Sequence, residues 1–110
     1  MYGSIMRARL KPGRRAEYER LFREIAPVHA DESRGLHSAE LAFEAGDPDR
    51  VVMIIHFRDR ESYLRNADDP RTDADYRRQA EFFDGAPEWI DVEYGSYSGK
   101  PLSEAAAAGT

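Results

Sequence analysis

Residues Val51–Tyr63 read VVMIIHFRDRESY. Five apolar residues lead to a single histidine, His56, and then directly to a charged segment that opens a helix. Side chains alternate between the two faces of a strand, and this run is apolar at both parities. Such a strand is covered on both sides, unlike one that turns a polar face to water. Asp59 suits the cap of the helix that follows, predicted to run to about Ala67, and Glu61 falls at the positive end of its dipole.

Working outward, Tyr2–Leu10 reads as a strand closed by the turn Lys11-Pro12-Gly13. From Arg14 the apolar positions Tyr18, Leu21, Phe22, Ile25 and Val28 form one stripe of an amphipathic helix. Pro27 is expected to kink or end it. DESRG connects to a second strand, Leu36–Glu44, with His37, Ala39, Leu41 and Phe43 on one face. AGDPDR has the composition of a hairpin turn between that strand and Val51–Phe57. DDP is expected to break the chain before a third helix, about Thr72–Phe83, whose stripe carries Tyr76, Ala80 and Phe83. Gly85 and Pro87 end it, and Trp89–Ser98 makes a last strand.

The order strand, helix, strand, strand, helix pair, strand predicts an α+β, ferredoxin-like four-stranded antiparallel sheet with helices on one face. The doubly apolar third strand needs cover on its other face as well. In a chain of this length a second copy is the economical cover, so a homodimer is expected. The domain is expected over residues 1–98, followed by a mobile tail, 99–110, with an alanine run.

Composition removes several function classes. The chain has 110 residues, no cysteine, three histidines (His29, His37, His56) and a net charge of −5. Thiol chemistry, disulfides and thiolate-bound metals are excluded, and no metal site is expected. The negative balance and the mixed charges around Arg14, Arg15, Arg77 and Arg78 argue against a nucleic-acid surface. The longest apolar run is too short to span a bilayer, and the opening residues lack a signal-peptide pattern, so neither membrane nor export is expected and the cytoplasm is the default. Asp68, Asp69, Asp73 and Asp75 cluster without a histidine and read as a solvated loop.

Three segments carry a resemblance. YGSIMRARLKPGRRAEYERLF, FRDRESYLRNADDP and PEWIDVEYGSY resemble the antibiotic biosynthesis monooxygenase-like proteins of the dimeric α/β-barrel superfamily, over about Tyr2–Tyr97. The resemblance implies a dimeric α/β barrel and oxidation of an aromatic, polyketide-like phenol or quinol by molecular oxygen with no cofactor. The alternative is a non-catalytic dimer on the same fold, either binding a small aromatic or hydrophobic ligand or serving as an interaction module. Members that oxidise polycyclic phenols are associated with a tryptophan, an asparagine, a tyrosine and an arginine around the pocket. Here the tryptophan falls on Phe57 and the asparagine near Met53, both departures. The tyrosine falls on Tyr63, the arginine on about Arg77, and a histidine common in the short helix on Asn66. The first strand has no asparagine, which argues against a haem-degrading relative.

Such chemistry needs a group to accept a proton from the substrate and a donor to hold the resulting anion in a dry pocket. The catalytic candidates are Tyr63 and Arg77, to orient the substrate oxygen, and His56, as base. Met53, Phe57, Asn66 and Trp89 are candidates for the pocket wall. Strand parity separates His56 from Met53 and Phe57, which favours a structural role for it.

Overall fold

The structure is a computed structural model, which describes residues 1–29, 36–96 and 98–99, with side chains 26–29 outside that set. The expectations for His29, for the connection after it and for most of the tail fall on residues outside it. The elements are β1 (Tyr2–Arg9), α1 (Arg15–His29), β2 (Leu36–Phe43), β3 (Arg50–Phe57), α2 (Arg60–Asp68), α3 (Pro70–Ala80) and β4 (Glu88–Glu93). The four strands form one antiparallel sheet in the order β2-β3-β1-β4. This is the expected ferredoxin-like arrangement.

Alternation along β1 and β3 sorts the sheet into two faces. Ser4, Met6 and Ala8 of β1 lie level with Ile55, Met53 and Val51 of β3. This face meets the helices, and Met6, Ala8, Val51 and Met53 form the core with Tyr18 of α1 and Phe83. Tyr18, Phe57, Met6, Leu10 and Val51 are the largest side chains fully withdrawn from water. Burying side chains of this size stabilises the fold by about 1.5–3 kcal/mol each.

Among the described residues the opposite face carries no helix. Its central row, level across three strands, is Ile54 (β3), Ile5 (β1) and Ile90 (β4). Ile54 and Ile5 are half-buried, while Ile90 is 57% exposed.

Local chemistry explains the element boundaries. The hairpin between β2 and β3 is closed by Glu44 N–H to the Arg50 carbonyl at 2.9 Å, and Gly46 supplies the positive φ of 84° that the turn requires. Asp59 caps α2 as expected, its side chain accepting from the Ser62 N–H at 2.8 Å. The next boundary differs from expectation. DDP does not leave a gap; Asp69 caps α3 and Pro70 is its first residue, a position where the missing N–H costs nothing. Asp69 alone therefore joins α2 to α3. The far end of α3 is Ala80, because the chain turns there and Phe83 bridges Leu10. Helix α1 runs to His29, two residues past Pro27.

Two strand details also differ. β4 ends at Glu93, short of the expected Ser98. A register shift between Leu36 and Ser38 leaves His37 as an extra residue in β2, exposed and out of step with Ala39, Leu41 and Phe43.

Candidate functional site

A recess opens between the helix-covered face of the sheet and the pair α2–α3. Its outer part, about 430 Å³, is walled by Ser4, Ile55, Phe57, Tyr63, Asn66 and Ala67, with Thr72, Asp73, Tyr76, Trp89 and Asp91. Behind it lies a smaller space of about 90 Å³, reaching Phe22, Ile25, Leu36, Ala39 and Met53. Ile55, Asn66, Thr72, Tyr76 and Trp89 border both spaces and so form the neck between them.

Each wall follows from local structure. β3 sends Met53, Ile55 and Phe57 into the recess because they share one parity. Helix α2 presents Tyr63 and Asn66, three positions apart and therefore on one side of the helix. The Phe57 and Tyr63 rings meet edge to face, centroids 5.3 Å apart. Tyr76 of α3 meets Trp89 of β4, ring centroids 6.0 Å apart, so these two aromatics join α3 to the edge strand across the wall. Trp89 remains 47% exposed, on an edge strand.

The polar groups are few and organised. Asp91, on β4, accepts a hydrogen bond from the buried Ser4 hydroxyl at 2.9 Å and another from the Tyr63 hydroxyl at 3.2 Å. Its carboxylate is thus held between β1 and α2. Burial raises the Tyr63 phenol above its ordinary value, and the negative charge of Asp91 adds to the rise. Tyr63 is therefore a proton donor at neutral pH. Asn66 is buried, and its side-chain oxygen accepts from the Thr72 hydroxyl at 3.0 Å. That bond leaves the amide nitrogen as the group Asn66 can offer to a ligand. Deeper in, the fully buried Tyr18 donates to the side-chain oxygen of Gln79 at 2.7 Å.

Of the seven residues singled out from sequence, Met53, Phe57, Tyr63, Asn66 and Trp89 line this recess. Arg77 does not. Its side chain is 79% exposed and pairs with Asp73 at 3.0 Å along the helix, because Tyr76, one position and about 100° away on the helix, is the residue turned inward. His56 does not line it either. It lies on the helix-free face, its Nε2 2.6 Å from Oε1 of Glu40 and its ring 5.4 Å from that of Tyr94. Its Nδ1 is buried without a hydrogen-bond partner among the described residues. The acidic cluster read as a solvated loop is split by the fold: Asp69 caps α3 and Asp73 reaches the outer wall.

Sequence reasoning passed over Ser4 and Asp91. They stand 87 positions apart and meet only because β4 returns beside β1. The one signal was a serine on a strand face otherwise made of Tyr2, Met6 and Ala8.

The antibiotic biosynthesis monooxygenase family model matches residues 1–70, well over half the chain. The chain belongs to the antibiotic biosynthesis monooxygenase family. The matched part contributes Ser4, Met53, Phe57, Tyr63 and Asn66 to the recess; Tyr76, Trp89 and Asp91 lie beyond it. Solved structures agree in fold. SnoaB, a cofactor-independent oxygenase from Streptomyces nogalater, is 18% identical, with a TM-score of 0.75 over 87% of this chain and 94% of that one. Rv0793 from Mycobacterium tuberculosis is 15% identical, with a TM-score of 0.72 over 89% and 98% of the two chains. A conserved protein from Methanosarcina mazei Go1 is 14% identical, with a TM-score of 0.72 over 86% and 92%. At such identities the likeness is one of fold. No curated protein matches the chain.

Proposed function

We propose that this member of the antibiotic biosynthesis monooxygenase family oxidises an aromatic, polyketide-like phenol or quinol with molecular oxygen and without a cofactor. The observation that carries the reading is the outer recess. It combines aromatic walls, Phe57, Tyr76 and Trp89, with a single organised polar corner made by Ser4, Tyr63 and Asp91. A volume of about 430 Å³ lies in the range of small-molecule sites.

The chemistry asks little of the protein beyond this. A phenol bearing hydrogen at a ring carbon becomes a quinone when one oxygen atom enters as the new carbonyl. The other leaves as water with the hydroxyl hydrogen and the ring hydrogen, so the substrate supplies all the electrons. Losing the phenolic proton, which the Asp91 carboxylate on the recess wall is placed to accept, makes the ring electron-rich enough to reduce oxygen, and hydrogen-bond donors in a dry site favour that anion. The amide of Asn66 is one donor; the Tyr63 hydroxyl, whose one proton goes to Asp91 in this structure, becomes the second when that proton turns to the substrate oxygen. Phe57, Trp89 and Met53 shape the wall. The family's tryptophan and asparagine are replaced here by Phe57 and Met53, so Tyr63 and Asn66 carry more of the polar recognition.

The active unit is a homodimer, built on the helix-free face of the sheet. The row Ile54, Ile5 and Ile90 gives that face an apolar centre. Arg7 paired with Glu44, and Arg9 with Asp47, give it a charged rim, the arrangement of protein interfaces. His56 then belongs to the subunit contact, not to the chemistry.

Metal-free protein incubated with anthrones and naphthols under oxygen is expected to consume oxygen and form quinones. Absence of turnover above buffer on every member of the panel overturns the enzymatic reading.

A further inference from the structure

The inner space differs from the outer one in both size and chemistry. It holds about 90 Å³, and apart from the neck its wall is Phe22, Ile25, Leu36, Ala39, Met53 and Gln79. A cavity of about 150 Å³ is known to take one benzene ring. A fused aromatic therefore matches the outer recess, and the inner space is too small for even one of its rings. Water is poorly served within. A buried water needs two to four polar partners, and the wall away from Gln79 and the neck, Phe22, Ile25, Leu36, Ala39 and Met53, offers none. What suits an apolar pocket of this size is a small apolar molecule.

We propose that the inner space is a dioxygen site, loaded behind the aromatic substrate and opening on its buried face through the neck. This rests on the oxygenase reading for its purpose, but the binding site stands on the geometry alone. Dioxygen is apolar and far smaller than a ring, so a space of about 90 Å³, too small for a ring, still holds it. Met53 sits on its wall where the resemblance would place an asparagine. That departure makes the chamber less hospitable to water and better suited to a gas.

Dioxygen is paramagnetic, which supplies a test that does not depend on turnover. Methyl-labelled protein is placed under oxygen pressure and methyl relaxation is measured by NMR. Enhancement is expected to be several-fold greater at the methyls of Ile25, Leu36 and Met53 than at Ile5, Ile54 and Ile90 on the opposite face. Ala39→Leu, which puts three more carbons into the chamber, is expected to abolish the difference. Equal enhancement on both faces of the unmodified protein overturns the proposal, as does a crystal structure showing hydrogen-bonded water filling the chamber. If the site binds oxygen while no phenol is turned over, the oxygenase reading falls and the gas site remains. If quinones form but the inner methyls respond no more than the outer ones, the gas site falls and the oxygenase reading remains.

Discussion

Gly3 lies directly against the ring of Tyr94. A β-carbon on Gly3 would stand 2.8 Å from Cε2 of Tyr94, 2.9 Å from its hydroxyl oxygen and 2.9 Å from the backbone carbonyl of Ile55. The tyrosine can swing away, but a carbonyl in the middle of the sheet cannot. Gly3→Ala is therefore expected to destabilise the fold by about 1–3 kcal/mol, as overpacking does. The urea midpoint checks it. The double variant Gly3→Ala with Tyr94→Ala is expected to recover only part of the loss.

Tyr18 predicts an alkaline limb. Burial, with a smaller contribution from Tyr76, pushes its phenol above the ordinary tyrosine range. The unfolded chain ionises near the ordinary tyrosine value, about 10, while the folded protein holds the proton. Stability from this group is thus complete below that pH and is lost as the pH climbs above it. Tyr18→Phe leaves the Gln79 oxygen without its donor and is expected to cost about 1 kcal/mol at neutral pH. The gap between the two proteins is expected to narrow above pH ~10, measured by denaturant titrations across the range.

The polar corner has its own signature. Asp91 adds to the rise of the Tyr63 phenol, so Asp91→Asn is expected to lower the pKa of Tyr63 towards its ordinary value. Ultraviolet titration, with Tyr63→Phe subtracted, isolates that group. If the proposed chemistry holds, Tyr63→Phe is expected to reduce kcat/KM by about 10- to 100-fold, the range for losing one hydrogen bond to a charged group. Arg77→Ala, on the solvent side of α3, is expected to leave it within a factor of about two.

Asp59 sets an acid-side expectation. The Ser62 N–H and hydroxyl hold its carboxyl below the usual range, so it helps the fold above that range. The contribution is lost as the pH falls through the lowered value. Asp59→Asn, which keeps the cap without the charge, is expected to reduce the acid sensitivity of helicity measured by circular dichroism.

The homodimer predicts a simple failure. Ile90→Asp places a charge at the exposed end of the isoleucine row and is expected to yield a monomer by analytical ultracentrifugation. A monomer in the unmodified protein overturns the dimer proposal.

These sites differ in how far they could be read from sequence. The two-sided hydrophobicity of Val51–Ile55, the Asp59 cap and the stripe of Tyr18, Leu21 and Ile25 are local patterns with fixed periods, and the fold followed from them. The same parity argument separated Met53 and Phe57 from His56. Asp69-Pro70 was read as a break because proline stops a helix from within, whereas at its first residue it starts one. The shift at His37 follows from pairing between strands, which no single-strand period contains. Arg77 was aligned one position off the stripe of Tyr76, and on a helix one position decides between pocket and solvent. Asp91 was hidden because its meaning lies in Ser4, at the other end of the chain.

The single-residue link at Asp69 has a consequence for binding thermodynamics. α2 and α3 contribute Tyr63, Asn66, Thr72 and Tyr76 to the recess, and one residue with a capped helix on either side gives them no slack. Half the wall is thus in place before any ligand arrives. Association then spends little free energy on ordering the protein, and the cost of immobilisation falls on the ligand. Rigid fused rings, with few torsions to freeze, are the molecules such a wall favours over flexible chains of equal apolar area.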